Sequence, residues 1–260
     1  MFAVFKREFL SYFRTPVGWI AICLISVIGG YYYSSMLTSR ISYVNVSAEV
    51  AYLRSFFIIL IPIITMRLFA EEKRNGTDVL LYTMPFSIKV AVIGKFLAAL
   101  ALQALMLVSI LFHMIITVIL SGYVSSATWG AIFGYLVLAA LFISIGMLAS
   151  ALTENQIMSA VFCFVIMLFL SMLSQIASSI AGIVKAFLKF TKLFSLSDST
   201  IYSIGENIRS AIAWFDPYER TKCYTSDVFK IVPLIFCLSF AAVFIYITFR
   251  VLEKKRWSQS

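Results

Sequence analysis

With 260 residues, 62% of them hydrophobic and 13% charged, and a mean hydropathy of +0.97, the chain has too little polar surface to cover a water-soluble globule. Its solvent is lipid. The net charge of +9 would point to nucleic acid in a soluble protein, but in a membrane protein it is read by position along the chain, and no nucleic-acid partner is expected.

A membrane span needs about 20 mostly apolar residues, and only helices or closed barrels satisfy their backbone groups in hydrocarbon. The apolar runs are continuous rather than alternating, which excludes a barrel. The expected fold is an all-α polytopic membrane protein in which a single domain, residues 1–260, crosses the membrane six times.

The chain opens on Phe2, Phe5, Phe9 and Phe13 at helical spacing, with Arg7, Ser11 and Arg14 on another face. This predicts an amphipathic helix over residues 1–15, lying in the membrane interface with its aromatic face in lipid and its basic face toward anionic headgroups. Thr15-Pro16 turns the chain into a first span at Val17–Leu37, whose Tyr31-Tyr32-Tyr33 end is unlike a signal-peptide cleavage site. A second span, Val50–Phe69, contains Pro62, where a kink is expected. The polar turn Glu71–Asp78 follows, with Gly76 suited to end one helix and Thr77 or Asp78 to cap the next. Val79–Tyr82 is then a short apolar helix, which either dips into the interface or is a knob for a partner protein.

Further spans are expected at Phe96–Leu120, Gly130–Ala151, Gln156–Val184 and Phe229–Phe249. The fourth and fifth are joined by a tight turn at Leu152–Gln156, where Thr153 or Asn155 is a good cap. Between the fifth and sixth lies a long segment, 181–228. Lys185, Lys189 and Lys192 line one face there while Ile183, Val184, Phe187, Leu188, Phe190 and Phe194 fill the others, predicting a second interfacial helix. Asp198 to Asp227 is polar, with an Asp216-Pro217 turn.

Six spans place both termini on one side. Lys6, Arg7, Arg14, Arg67, Lys73, Arg74, Lys89, Lys95, Arg250, Lys254, Lys255 and Arg256 fall on that side, and Arg40, Arg54, Lys185, Lys189, Lys192, Arg209, Arg220, Lys222 and Lys230 on the other. Long loops weigh less in the positive-inside rule than short ones, so the terminal side is expected to be cytoplasmic and the protein a multi-pass cell-membrane protein. Cys23, Cys163 and Cys237 fall within spans and Cys223 stands alone outside, so no disulfide framework is expected.

Chemistry is scarce. The one Gly-Lys pair, Gly94-Lys95, is followed by Phe96 and stands at the mouth of a span, so no phosphate-cradling loop is found. His113 is the single histidine, too few for a usual zinc site, and is expected to hydrogen-bond between helices. Glu71-Glu72 has no histidine partners of the kind intramembrane proteases need. No catalytic or metal-binding residue is assigned, and no cofactor is expected in this chain. Ionisable groups at membrane depth are expected to be limited to His113, which argues against a proton- or sodium-coupled carrier and for energy supplied from outside the chain.

Two strings carry a family resemblance. Ile61-Pro62-Ile63-Ile64-Thr65-Met66-Arg67-Leu68-Phe69-Ala70-Glu71-Glu72-Lys73-Arg74-Asn75-Gly76-Thr77, followed by Pro85 and Gly94-Lys95, resembles the type-2 ABC transporter permeases, and among them the branch named after the gliding-motility permease. Ser144-Ile145-Gly146-Met147-Leu148-Ala149-Ser150-Ala151-Leu152-Thr153-Glu154-Asn155-Gln156 is similar to a string that branch carries at the same turn. The resemblance implies a six-span exporter subunit paired with a second permease, as a homo- or heterodimer, each docked on a cytoplasmic ATPase that holds the ATP and Mg. It implies that Glu71, Glu72, Lys73, Gly76, Thr77, Leu80, Leu81 and Pro85, within a coupling loop at residues 70–90, dock on that ATPase, with Thr153, Glu154 and Asn155 as a second contact. One departure stands out: the branch follows Gly-Thr with an apolar residue and then Glu, whereas this chain has Asp78 and then Val79. The carboxylate is thereby turned about 100° around a helix. The competing class is a structural or regulatory membrane subunit, which would share the hydropathy without needing an apolar knob.

Overall fold

The computed structural model describes residues 1–39, 45–77, 87–121, 123–191, 198–225 and 229–258. It is 88% helical and, among the described residues, has no strand. In chain order the helices are α1 (Phe2–Arg14), α2 (Pro16–Thr38), α3 (Val46–Arg54), α4 (Phe57–Thr65), α5 (Ala70–Arg74), α6 (Ile88–Met106), α7 (Val108–Ser121), α8 (Ala127–Leu152), α9 (Gln156–Thr191), α10 (Asp198–Ala213), α11 (Pro217–Thr221) and α12 (Ile231–Ser258), with a 3₁₀ turn at Lys222–Thr225. Among the described residues, five stretches are long and apolar enough to cross a membrane: α2, α6 with α7, α8, α9 and α12. The bent pair α3 and α4 makes a sixth if counted as one span.

Helix α8 is the central pillar. In its most apolar window 78% of residues are buried, against 22% in α2 and α9. Its glycines explain the close packing: a Cβ on Gly134 would stand 2.9 Å from the Tyr224 side chain, and one on Gly146 would overlap Thr65 of α4. Without a hydrophobic drive between helices in lipid, such small residues allow backbones to approach and dispersion contacts to accumulate. Around α8 stand α3, α4, α6, α9 and α12.

Both termini lie at one end of the bundle, called here the near end. There α1 packs on α6, Lys89 of α6 sits over the Phe249 ring of α12, and Lys255 reaches Glu154 in the α8–α9 turn at 3.5 Å. Thr15 is extended and Pro16 opens α2, so the break between interfacial helix and first span falls where the sequence places it.

Three expectations are corrected. The second span bends by 57° between α3 and α4, at residues 55 and 56, while Pro62 lies inside α4. The bend sits two to three residues ahead of Ile58, whose carbonyl is the one a Pro62 ring crowds. It is closed by tight bonds from Ser55 N–H to the Tyr52 carbonyl and from Phe56 N–H to the Leu53 carbonyl. Arg54, expected on the outer surface, is buried at this bend and donates to the Thr221 carbonyl and hydroxyl, each at 3.2 Å.

The separate interfacial helix expected from Lys185 onward is instead the end of α9. That helix runs unbroken for 36 residues, about 54 Å at 1.5 Å per residue, which overshoots a hydrocarbon core of about 30 Å. Lys192 lies outside the described residues. The polar stretch after it folds as α10, which packs back along α9 through Lys185–Glu206 at 3.2 Å, with Lys185 also over the Tyr202 ring. Asp216 then caps α11 by accepting from Tyr218 N–H and Glu219 N–H.

Candidate functional site

At the near end, the backbone that leaves α4 is held from several directions. Ser150 of α8 accepts through its hydroxyl oxygen from Phe69 N–H and Ala70 N–H, both at 3.0 Å, and donates to the Met66 carbonyl at 3.3 Å. Tyr12 of α1 donates to the Ile64 carbonyl at 3.2 Å, and burial pushes its phenol well above the usual range. Arg67 grips both Glu71 oxygens, at 2.6 and 3.0 Å, and donates to the Thr15 hydroxyl at 2.5 Å. A forked pair of this kind fixes orientation as well as distance.

Lys95 of α6 is the centre of the arrangement. Its side chain is 1% exposed, and Nζ lies 2.6 Å from the Leu68 carbonyl, 2.8 Å from Glu72 Oε1 and 3.3 Å from Glu8 Oε2, above the Phe69 ring. Arg7 adds a second cation, 2.6 Å from Glu8 and 3.4 Å from Glu72. A buried ammonium is tolerated only with such a set of acceptors. Thus α1, α5 and α6 meet on one charge. Gly94 makes room for this, since a Cβ there would stand 3.0 Å from Val4 of α1.

Helix α5 ends as its sequence predicts. Gly76 takes φ 67°, Gly76 N–H donates to the Lys73 carbonyl at 3.1 Å, and Thr77 N–H donates to the Glu72 carbonyl at 2.9 Å. These two bonds form a Schellman close, which needs the left-handed conformation glycine adopts without strain. Lys73 points the other way, donating to the Ala151 carbonyl and, at 3.4 Å, to the Thr153 carbonyl. In the turn itself Asn155 is the cap, accepting from Ile157 N–H at 2.9 Å, while Thr153 bonds back to the Ala149 carbonyl.

A family model, ABC-2 family transporter protein, matches residues 2–257. The chain belongs to the ABC-2 transporter family. No curated protein matches it. As an ABC-2 permease it is a multi-pass membrane component of an ABC transporter, and such permeases work with an ABC ATPase subunit that supplies the nucleotide site.

In this permease the loop residues Glu71, Glu72, Lys73, Gly76 and Thr77 and the turn residues Thr153, Glu154 and Asn155 lie at the same end of the bundle, joined by Lys73. Leu80, Leu81 and Pro85, with the apolar stretch Val79–Tyr82, lie outside the described residues. Sequence reasoning missed Lys95 as the organising cation. Its signal was there: a lysine directly after a glycine, in an otherwise apolar stretch. It missed Glu49 as well, whose side chain is fully buried against His113. Glu49 is thus a buried ionisable side chain within the bent second span, beside the His113 that the sequence singled out.

Proposed function

We propose that this ABC-2 permease forms the translocation path of an exporter and takes its energy from a separate cytoplasmic ATPase docked on the loop at residues 70–90. The observation that carries the reading is the double anchoring of α5, through Lys95 and Glu72 on one side and through Lys73 and the Thr153 turn on the other. A segment that receives force from a partner has to pass it on. Here the base of the loop is tied by charge to α1 and α6 and by hydrogen bonds to α8, so displacement of the loop moves spans rather than merely bending a tether. On this reading Glu71, Glu72, Lys73, Gly76, Thr77, Leu80, Leu81 and Pro85 are the docking element, and Thr153, Glu154 and Asn155 the second contact.

The same reading makes the terminal side cytoplasmic, in keeping with its short basic loops, and sets α1 in the inner lipid interface of the cell membrane. A second permease, homologous or identical, completes the path. The resemblance to the gliding-motility branch supports this arrangement. It is tested by co-purifying the tagged chain with the ATPase encoded beside it, and measuring vanadate-sensitive ATP hydrolysis in lipid. The wild type is expected to retain an active ATPase, and Leu80→Asp/Leu81→Asp to lose it while still folded. Purification of the wild type alone, under all conditions, would return the chain to the structural-subunit class.

A further inference from the structure

In the half of the bundle away from the termini, three helices meet on two ionisable side chains. Glu49 of α3 is wholly buried, and its Oε1 lies 2.7 Å from Nδ1 of His113 in α7. Tyr33 of α2 stacks flat on the imidazole, with ring centroids 4.4 Å apart and planes 3° apart, and its hydroxyl lies 2.9 Å from the Thr117 hydroxyl. Thr117 in turn donates to the His113 carbonyl. Gly29 of α2 completes the wall, because a Cβ there would stand 3.0 Å from Glu49 Oε1. The second carboxylate oxygen, Glu49 Oε2, is buried with no hydrogen-bond partner.

The charge count of this pair has one neutral solution. Carboxyl with imidazole and carboxylate with imidazolium each hold one proton and carry no net charge. With no proton a carboxylate stands alone, and with two an imidazolium stands alone, and either is costly in a low-dielectric interior. Among the described residues the packed elements offer no compensation, and Lys222 of the 3₁₀ turn is paired with Glu219. Tyr33 of α2 is occupied with Thr117, and Tyr32 and Tyr52 stack on one another. Tyr135 of α8 donates to Gln103 of α6. Arg54 lies five residues along α3, about 140° around the helix, and is bonded to Thr221. His113 is the only ionisable side chain of α7. Its side chain is 14% exposed while that of Glu49 is not exposed at all, so the imidazole is where a proton would enter or leave.

We propose that Glu49 and His113 form a membrane-buried binding site for one proton, which ties α2, α3 and α7 together only while it is singly occupied. This stands apart from the ATPase-docking reading and would survive its failure.

The test uses the whole chain in lipid nanodiscs, purified through a tag without histidine, so that its single histidine gives unambiguous ring signals. In the wild type the imidazole resonances are expected to show no titration with the ordinary midpoint near 6.5. An ordinary midpoint overturns the proposal without need of any variant. Melting against pH supplies the second readout, taken as the difference between variant and wild type so that shared groups cancel.

With one proton retained in the folded state, wild-type stability is expected to fall as pH rises above about 6.5, where the unfolded chain has released both protons, by up to tenfold in the unfolding constant per pH unit. In Glu49→Gln the neutral state holds no titrating proton, so stability is expected to fall below about 6.5 and stay level above it, reversing the sign. His113→Gln keeps the wild-type sign, with the decline starting near 4.3. Profiles for Glu49→Gln and wild type that run parallel would overturn the proposal.

Discussion

Lys95 Nζ sits 2.8 Å from Glu72 Oε1, joining the start of the third span to the loop that follows the second. With Glu8 of α1 on the same nitrogen, one ammonium holds three segments far apart in sequence. Lys95→Met leaves the largely buried Glu8 and Glu72 with only the half-exposed Arg7 between them, and removing one partner from buried charges costs about 3 kcal/mol. The expected result is a lower melting temperature in detergent, together with faster hydrogen exchange in residues 2–14. A variant that melts like the wild type would show that α1 is held by its aromatic face and by Arg7 rather than by Lys95.

Gly146→Ala drives a methyl group into Thr65, which is fully buried against α8. Overpacking of this kind costs about 1–3 kcal/mol. Adding Thr65→Ala removes the outer atoms of the clash, so the double variant is expected to be more stable than the sum of the two single changes allows. A double-mutant cycle read from thermal melts in detergent checks it.

Asp216 does two things that can be separated. Its carboxylate caps α11, and burial pushes its carboxyl above the ordinary aspartate range. Asp216→Ala loses the cap and is expected to cost about 1 kcal/mol. Asp216→Asn caps equally well without a charge to bury. A carboxyl raised in the folded state loses stability as pH climbs past its unfolded value near 3.9, so Asp216→Asn should equal or exceed the wild type at pH 7, and this difference should vanish below that value. Melting curves of the three proteins at pH 3.5 and 7 decide it.

The placement of α5 and of the overshooting end of α9 at opposite ends of the bundle is open to chemical labelling. Asn75 and Lys189 are both exposed. In a background lacking Cys23 and Cys223, Asn75→Cys is expected to react with a membrane-impermeant maleimide only after the cell is permeabilised, and Lys189→Cys in intact cells. Reaction of both in intact cells would contradict the span count, and the reverse pattern would invert the orientation.

Hydropathy located the five long apolar helices and the bent pair α3 and α4, because a run of about 20 apolar residues finds few stable environments outside a lipid bilayer. It also marked the Thr15-Pro16 break and the Gly76 close, each governed by one or two local residues. What stayed hidden depends on partners distant in sequence. Glu49 lies 64 residues from His113, and Lys95 lies 23 from Glu72. Taken alone, each looks like a charge at the edge of a span, and only the packing turns it inward. The end of α9 misled for a related reason: a lysine stripe with an apolar remainder suits an interfacial helix as well as one that leaves the membrane and is met by α10.

The break at residues 55 and 56 divides the second span into two rods that both pack on α8 but differ in their polar ties. The upper rod, α3, is bonded to α11 through Arg54 and Thr221, while the lower rod, α4, is keyed to α8 by Thr65 against Gly146. Because each rod already ends in its own short bonds, a change of angle between them needs no helical hydrogen bond to be sacrificed. The second span is thus built like a jointed linkage, in which a change of angle would fall on a few backbone torsions at residues 55 and 56.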